Sequence, residues 1–439
     1  MTNVDFTISR LGVPQINTPL RALLARKCWP VHFVSDQEQV PFDPNIKTLR
    51  EVFQKGGEIL SVERAGPREK IYFDPQKTKA GIVTCGGLCP GINDVIREIV
   101  MQLYYRYGTM EIYGFRYGYE GLIETYGHEV KTLTPDTVAH IHRMGGSILS
   151  SSRGQQDSSS MVNYLKKLGV NMLFVIGGDG TLRGALDIAE HAEKVKYELS
   201  VIGIPKTVDN DILHIDRSFG FETAFSEATK SIISAHAEAK GVKNGVGLVK
   251  LMGRSSGFIA CFAALAMNDV NFVIIPEVPV ELEGKKGFLE VLKKRLEAKK
   301  HAVIVVAEGS MQDVIAGEDL GKDASGNIRF KDAGIFLRNR INAYFKNQNM
   351  EVNIKYIDPS YIIRSIEASP LDNVYCLRLA QNAVHAAMSG RTKMVVGLRH
   401  GHFVHLPMAL LAQGRRQVDA DGELWQSVLS ATGQPAIFE

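Results

Sequence analysis

From Ala80 onward, short runs of β-branched and aliphatic residues alternate with stretches of helical spacing, and that alternation limits the fold more than any other feature of the chain. The strand-like runs are 81–84, 111–115, 172–176, 200–204, 246–251, 272–275 and 302–306. Between them, Ile92, Val95, Ile96, Ile99, Val100 and Leu103 recur at helix spacing within 92–105, and 185–192 and 224–237 also read as helices. Strands that are apolar throughout belong to sheets buried on both faces. Strand–helix alternation of this kind predicts a parallel sheet covered by its crossover helices.

Residues 1–76 lack a clean period and are punctuated by Pro14, Pro19, Pro30, Pro41, Pro44 and Pro67. They read as an N-terminal extension packed on the main body, without a core of its own. A change of unit is expected after Pro205-Lys206-Thr207. The expected division is an extension at 1–76, a first α/β unit at 77–210 to which some later segments return, a second at 211–400, and a C-terminal segment at 401–439. The expected fold class is thus α/β: two doubly wound parallel-sheet units, with the active site in the crevice between them, plus the extension. In such sheets the ligand lies beyond the carboxyl ends of the strands.

Composition excludes several classes. With 439 residues, 45% hydrophobic and 23% charged, the chain has ordinary globular composition. Its longest uninterrupted apolar run, Phe258–Met267, is far short of the roughly 20 residues a membrane helix needs. Lys+Arg 51 against Asp+Glu 48 leaves a formal +3, which does not suggest a nucleic-acid polymer as partner. Met1 to Arg10 has neither the basic flank nor the apolar stretch of a signal peptide. Five scattered cysteines, Cys28, Cys85, Cys89, Cys261 and Cys376, predict reduced thiols and a cytosolic home. Cys85 and Cys89 lack a second Cys/His pair nearby and read as loop cysteines rather than metal ligands.

Four loops at expected strand ends carry chemistry. In Thr84-Cys85-Gly86-Gly87-Leu88-Cys89-Pro90-Gly91-Ile92-Asn93, glycines between a strand and a helix let backbone N–H groups approach phosphate oxygens. A tight structural turn is the plain alternative. The loop is neither the dinucleotide fingerprint nor the Gly-x-x-x-x-Gly-Lys-Ser/Thr phosphate loop. In Ile176-Gly177-Gly178-Asp179-Gly180-Thr181, one carboxylate stands among glycines. Beside a phosphate cradle it is repulsive unless a cation such as Mg²⁺ lies between them; otherwise Asp179 is a turn residue or helix cap. In Gly203-Ile204-Pro205-Lys206-Thr207-Val208-Asp209-Asn210-Asp211, two carboxylates two apart beside a lysine and a threonine suit general-base work on a hydroxyl. In Leu251-Met252-Gly253-Arg254-Ser255-Ser256-Gly257, an arginine after an apolar strand can stabilise charge on a transferring phosphoryl group. Solvated loops and a surface cap are the corresponding alternatives for the last two.

Taken in order, Gly-Gly-x-x-Pro-Gly-Ile-Asn, Gly-Gly-Asp-Gly-Thr, Pro-Lys-Thr-Val-Asp-Asn-Asp and Met-Gly-Arg resemble the 6-phosphofructokinase family over about residues 78–400. Within it, the chain looks like the ATP-using branch with an N-terminal extension, as in trypanosomatids and some bacteria. The resemblance implies that 77–210 binds nucleotide and 211–400 binds fructose 6-phosphate. It places ATP at Gly87, Arg153, Gly154, Gly178, Asp179, Gly180 and Thr181, with Tyr119 beside the adenine unless it is core packing. Asp179 matches the Mg²⁺ carboxylate, and Asp209 the general base, with Thr207 and Asp211 as neighbours and Arg254 stabilising charge. Sugar-phosphate positions are Thr207, Val208, Asp209, Met252, Gly253, Arg254, Glu308, Tyr361, Ile362, Ile363 and Arg364.

Two departures from the family pattern stand out. Where bacterial members reach over from a neighbouring subunit with two arginines that hold the 6-phosphate, this chain has Gly245 and Lys355, with Lys243 nearby, so the resemblance implies Lys355 as a further sugar-phosphate position. Lys355 keeps a charge but lacks the bidentate fork. The bacterial effector pocket is matched only in part, by Arg97 and Lys299-Lys300-His301.

The donor signals are mixed. Pyrophosphate users of the family typically carry Asp where Gly180 stands and Lys where Lys206 stands. A carboxylate at 180 would put bulk and charge where the α-phosphate of ATP must lie, so Gly180 points to ATP. The resemblance therefore implies Mg²⁺ as cofactor, ATP and fructose 6-phosphate as substrates, a homotetramer and a cytoplasmic enzyme. A pyrophosphate-dependent phosphofructokinase, a non-catalytic sugar-phosphate or nucleotide-binding regulator, and a Rossmann-type oxidoreductase remain as alternatives at this point.

Overall fold

A computed structural model describes residues 5–25, 31–315, 321, 329–411 and 413–439; Cys28 lies outside these. The chain divides into two compact units. The first comprises 1–207, 212–219 and 367–414, and the second 208–211, 220–366 and 415–439. The chain thus passes from the first to the second between Thr207 and Val208.

The first unit is built on a seven-stranded sheet. Its order is His402–Pro407, Met394–Arg399, Ser200–Pro205, Met172–Gly177, Lys79–Thr84, Glu111–Phe115, Val130–Thr132. The five central strands are parallel, and an antiparallel strand closes each edge. From Lys79–Thr84, its first strand in the chain, the chain goes to one side for Glu111–Phe115 and later to the other for Met172–Gly177. The topological switch point therefore lies between Lys79–Thr84 and Met172–Gly177, whose carboxyl ends open into the two glycine-rich loops. Phe6, Val40 and Val62 from the N-terminal segment are buried in the same core as Val83, Phe115 and Val175.

The second unit has a four-stranded, all-parallel sheet, ordered Phe272–Ile274, His301–Ala307, Gly245–Leu251, Asn353–Ile357. Gly245–Leu251 is the first strand of the sheet in the chain, which then visits one side of it twice before crossing to the other. Three following segments, Met252–Arg254, Glu308 and the helix Ser360–Ser365, come after the carboxyl ends of the three neighbouring strands.

Each of the seven expected strands is present, but the later segments distribute differently from the expected 211–400 and 401–439 blocks. Helix Pro370–Met388 packs on helix Ile92–Gln102, and Met394–Arg399 adds in parallel to Ser200–Pro205, so 367–414 belongs with the first unit. The last segment belongs with the second: Phe438 packs against Phe272 and Phe288, and the Gln434 side chain bonds both backbone groups of Val273.

A buried ionic network joins the N-terminal segment to the rest of the first unit. Arg391, fully buried, contacts Glu63 and lies 2.7 Å from Asp36; Arg68 bonds Glu63 at 3.0 Å and Asp36 at 2.8 Å. The His405 Nδ1 lies 2.9 Å from Glu63 Oε1, while its Nε2 is buried without a partner. A neutral imidazole donating from Nδ1 fits that site, since an imidazolium would bury an unsatisfied N–H. Burial, reinforced by Arg391 and Arg68, lowers the His405 pKa to about 4 despite Glu63. Although burial opposes it, the His405 hydrogen bond and the Arg391 and Arg68 charges hold the Glu63 carboxyl well below its ordinary range.

Both shifts favour the deprotonated form in the fold, so both contributions erode on acidification. The loss begins below about 6.5, where an unfolded histidine takes up its proton, and Glu63 adds to it below about 4.3. The unfolding temperature should therefore fall from pH 6.5 towards 4, read by calorimetry. Arg391→Met should lower stability at pH 7.5 by about 1–3 kcal/mol, since it removes one of the cations that Glu63 shares with Arg68 in the interior. A wild-type unfolding temperature that is flat from pH 7.5 to 5 would contradict the network's role.

Candidate active site

In the first unit, the two helices that follow the switch-point strands both begin on glycine. Helix Ile92–Gln102 has Gly91 as its N-cap and helix Asp179–Lys194 has Gly178; neither cap supplies a side-chain hydrogen bond. Such helix N-termini present amide donors and the positive end of the dipole to an anion.

Backbone bonds lace the surrounding loops together. The Cys85 N–H donates to the Ile176 carbonyl at 2.9 Å, Gly86 N–H to Ser152 at 3.1 Å and Lys206 N–H to Gly177 at 3.0 Å. The Ser151 hydroxyl donates back to Gly86 O at 2.6 Å, and the buried Lys206 ammonium to Gly87 O. Gly86 holds φ at +83°, a conformation a side chain resists, so this turn requires glycine.

Arg153 is exposed, and its guanidinium would lie 3.8 Å from a Cβ built on Gly87. Gly154 follows it in the same segment. Asp179 occupies the first helical position, partly buried, with Gly180 and Thr181 completing the first turn. Gly87, Arg153, Gly154, Gly178, Asp179, Gly180, Thr181 and Lys206 thus fall on laced loops of one unit. Chemically, the arrangement offers uncapped helix amides and a lysine beside a single carboxylate, Asp179, a set of donors suited to an anion.

Tyr119 requires a correction. It belongs to the core of the first unit, 4% exposed, with its ring against Gly184 and its hydroxyl donating to the Thr181 carbonyl. Of the two readings, the core alternative holds: the short helix Gly118–Leu122 turns the ring inward. No face of it is open for an adenine to stack on.

In the second unit the candidate residues converge on Asp209. The Arg254 N–H donates to Asp209 Oδ2 at 3.3 Å, and the Ser256 hydroxyl donates to Asp209 O at 3.0 Å. Two strand-end loops are zipped by Glu308 N–H to Leu251 O, 2.9 Å, and Gly309 N–H to Gly253 O, 3.1 Å. A Cβ on Gly309 would lie 1.9 Å from the Arg254 carbonyl oxygen, so only glycine permits this approach. The Arg254 guanidinium lies over Phe330, 4.8 Å from the ring centroid, and Arg364 Nε lies 3.1 Å from Met252 Sδ.

The electrostatics of Asp209 follow from this company. Burial raises its pKa first, Asp211 and Glu308 raise it further, and the Arg254 amide and Arg364 oppose them, leaving it at about 7. Glu308 is likewise raised by burial, against Arg364, Arg254 and Lys250. A carboxylate poised in this way can accept a proton from a hydroxyl at neutral pH.

Other expected positions fall less simply. Ile363 is fully buried and packs, whereas Tyr361 and Ile362 are exposed on the same short helix. Val208 is buried, and the Thr207 carbonyl accepts from the Ser218 hydroxyl at 2.7 Å. Lys355 lies within its strand opposite Gly247, four residues before Leu251, hence about 13 Å back from that strand's carboxyl end. Its ammonium is 3.7 Å from Glu238, so the chain's own Lys355 does not join the group around Asp209. At Gly245 a Cβ would meet the Ala239 carbonyl at 2.1 Å, which explains why no arginine stands there.

One functional neighbour carried no motif. Arg415, from the C-terminal segment, lies 3.4 Å from Asp211 and donates to the Ser255 hydroxyl at 2.9 Å, and the Arg416 N–H bonds the Asp211 carbonyl at 2.8 Å. Its only trace in the sequence is a basic pair after Gly414.

A family model for phosphofructokinases matches residues 79–387. The ATP-dependent 6-phosphofructokinase of Borreliella burgdorferi is 46% identical over 439 residues, 99% of this chain and 97% of that protein. That of Amycolatopsis methanolica is 46% identical over 440 residues, 99% of this chain and 96% of that protein. Among solved structures, a pyrophosphate-dependent phosphofructokinase from Marinobacter aquaeolei superposes with a TM-score of 0.65 at 17% identity, covering 81% of this chain and 91% of that one. Pichia pastoris phosphofructokinase in the T-state gives 0.63 at 19% identity, over 81% of this chain and 37% of that one. At such identities the structural likeness speaks for the fold alone.

Titration of Asp-labelled protein by carbon NMR should place the Asp209 midpoint near 7. Asp211→Asn should move it down, because a like charge beside it is gone. A wild-type midpoint near 4 would contradict the crowding around this carboxyl.

Proposed function

The chain belongs to the phosphofructokinase family, and from that premise we propose that it is an ATP-dependent 6-phosphofructokinase. It is a phosphotransferase that moves the γ-phosphoryl group of ATP to the 1-hydroxyl of fructose 6-phosphate, giving fructose 1,6-bisphosphate and ADP. The observation that carries the reading is the near-full-length likeness to relatives named as ATP-dependent.

In this reading the laced loops of the first unit hold the nucleotide phosphates through Gly87, Arg153, Gly154 and Gly178 to Thr181. Mg²⁺ suits the donors present: a single carboxylate, Asp179, beside amides that bind phosphate, with the other positions left to phosphate oxygens and water. Bound there, the ion supplies neutralisation of phosphate charge. Arg364 pairs with the 6-phosphate, Thr207 and Asp211 flank the base, and Met252, Gly253 and Glu308 shape the sugar site. Asp209 accepts the proton from the attacking 1-hydroxyl, while Arg254 stabilises the charge that spreads over the transferring group. No covalent enzyme intermediate is required.

Lys206 fits either donor. Its ammonium bonds the Gly87 carbonyl, which fixes the phosphate loop whichever donor occupies it. No helix among the described residues is long and apolar enough to cross a membrane. A cytoplasmic homo-oligomer, most simply a tetramer, accords with the same reading.

A coupled assay of fructose 6-phosphate-dependent ADP release tests the proposal. Wild-type protein should turn over, and Asp209→Ser should lower kcat by about 10²–10⁴-fold while still binding fructose 6-phosphate. Asp179→Asn should lose turnover and need more Mg²⁺ for what remains. A near-normal kcat in Asp209→Ser would remove that residue from the base's role.

A further inference from the structure

Lys250, the penultimate residue of strand Gly245–Leu251, is largely buried in the second unit, and no motif singles it out. Its ammonium lies 2.7 Å from Asp332 Oδ2 and 2.8 Å from Asp358 Oδ2. Both carboxylates are tied down on their far sides. Asp358 Oδ1 accepts from the Ser360 hydroxyl at 2.5 Å and from the Ser360 N–H at 3.1 Å. Asp332 Oδ1 accepts from the Ile335 N–H at 2.8 Å, capping helix Ala333–Asn347, and from the Tyr356 hydroxyl at 3.3 Å.

Each branch leads to an arginine. Ser360 opens the helix Ser360–Ser365, which carries Arg364. Two residues before Asp332 stands Phe330, on whose ring the Arg254 guanidinium lies. Between them, the Gln312 amide donates to Glu308 O at 3.1 Å and to Lys331 O at 3.0 Å, so the Glu308 loop hangs on the same framework. One ammonium therefore spans the segment whose Phe330 backs the Arg254 guanidinium and the segment that carries Arg364. Without it, two partly buried carboxylates would face each other uncompensated, and the cheapest relief is to part them. The segment that carries Arg364 is a helix of only six residues, held on one side by the buried Ile363.

We propose that Lys250 is a positioning residue for the sugar phosphate, holding the Arg254 and Arg364 segments in register through Asp332 and Asp358. This rests on the reading that Arg364 and Arg254 bind fructose 6-phosphate. Lys250 touches no reacting atom in this account. Its loss should weaken sugar-phosphate binding and leave the nucleotide untouched, a split that general destabilisation would not produce.

The test is steady-state kinetics on the full chain with both substrates varied, alongside unfolding temperatures, for Lys250→Met, Lys250→Arg, Asp358→Asn and Arg364→Ala. Lys250→Met should raise KM for fructose 6-phosphate by about tenfold or more, with KM for ATP unchanged within about twofold. Lys250→Arg should recover most of the loss. Asp358→Asn, which keeps the Lys250–Asp332 pair but loosens the Ser360 branch, should raise the same KM several-fold. It decides the matter alone should Lys250→Met fail to fold. If Arg364→Ala raises KM for fructose 6-phosphate while Lys250→Met and Asp358→Asn only lower the unfolding temperature, the clamp is structural and the proposal is wrong. If Arg364→Ala itself leaves that KM unchanged, the sugar-phosphate reading fails and takes the proposal with it.

Discussion

Parallel strands cannot be joined by tight turns; each must be followed by a crossover, and every crossover leaves from the same end of the sheet. That constraint gathers the chemistry of this protein. The glycine-rich loops after Lys79–Thr84 and Met172–Gly177 leave from adjacent strands in opposite directions, and both enter helices whose amide ends carry no side-chain cap. Nothing about phosphate has to be assumed to see an anion cradle there. The second unit repeats the logic with different residues: the segments after Gly245–Leu251, His301–Ala307 and Asn353–Ile357 supply Arg254, Glu308 and Arg364.

Charge balance then decides what these loops can do. A lone carboxylate near so many cations would stay ionised and be a poor base at neutral pH. Asp209 escapes this because it is crowded by protein and shares its surroundings with Asp211 and Glu308, so that the Arg254 backbone amide and the Arg364 charge only partly offset the raised proton affinity. Arg415 pairs with Asp211, and Lys250 with Asp332 and Asp358, rather than with Asp209 itself. The picture is of acidic groups held close together by cations that neither quench nor release them.

Much of this was legible in the sequence, for identifiable reasons. Central strands announce themselves because burial on both faces makes them apolar throughout, and the motif loops follow at their ends. Asn353–Ile357 escaped because it lies at the edge of its sheet and alternates Asn353 and Lys355 with apolar residues. The return of 367–414 to the first unit was hidden because a helix such as Pro370–Met388 shows that it is buried but not against what. Of the two readings of Tyr119, beside the adenine or in the core, sequence alone could not choose, and the ring packed on Gly184 decides for the core. The Glu63–Arg391 pair and the Arg415–Asp211 pair join residues hundreds of positions apart, and no local pattern marks either.

The proposed donor depends most on Gly180, where a carboxylate would repel the α-phosphate that the ATP reading puts beside it. Initial rates with fructose 6-phosphate and Mg²⁺, using ATP or pyrophosphate at equal concentration, test it directly in wild-type protein and in Gly180→Asp. The wild type should use ATP in strong preference, and Gly180→Asp should lose most ATP turnover. A wild-type protein faster with pyrophosphate than with ATP would contradict the account and make Lys206 the residue that marks the donor.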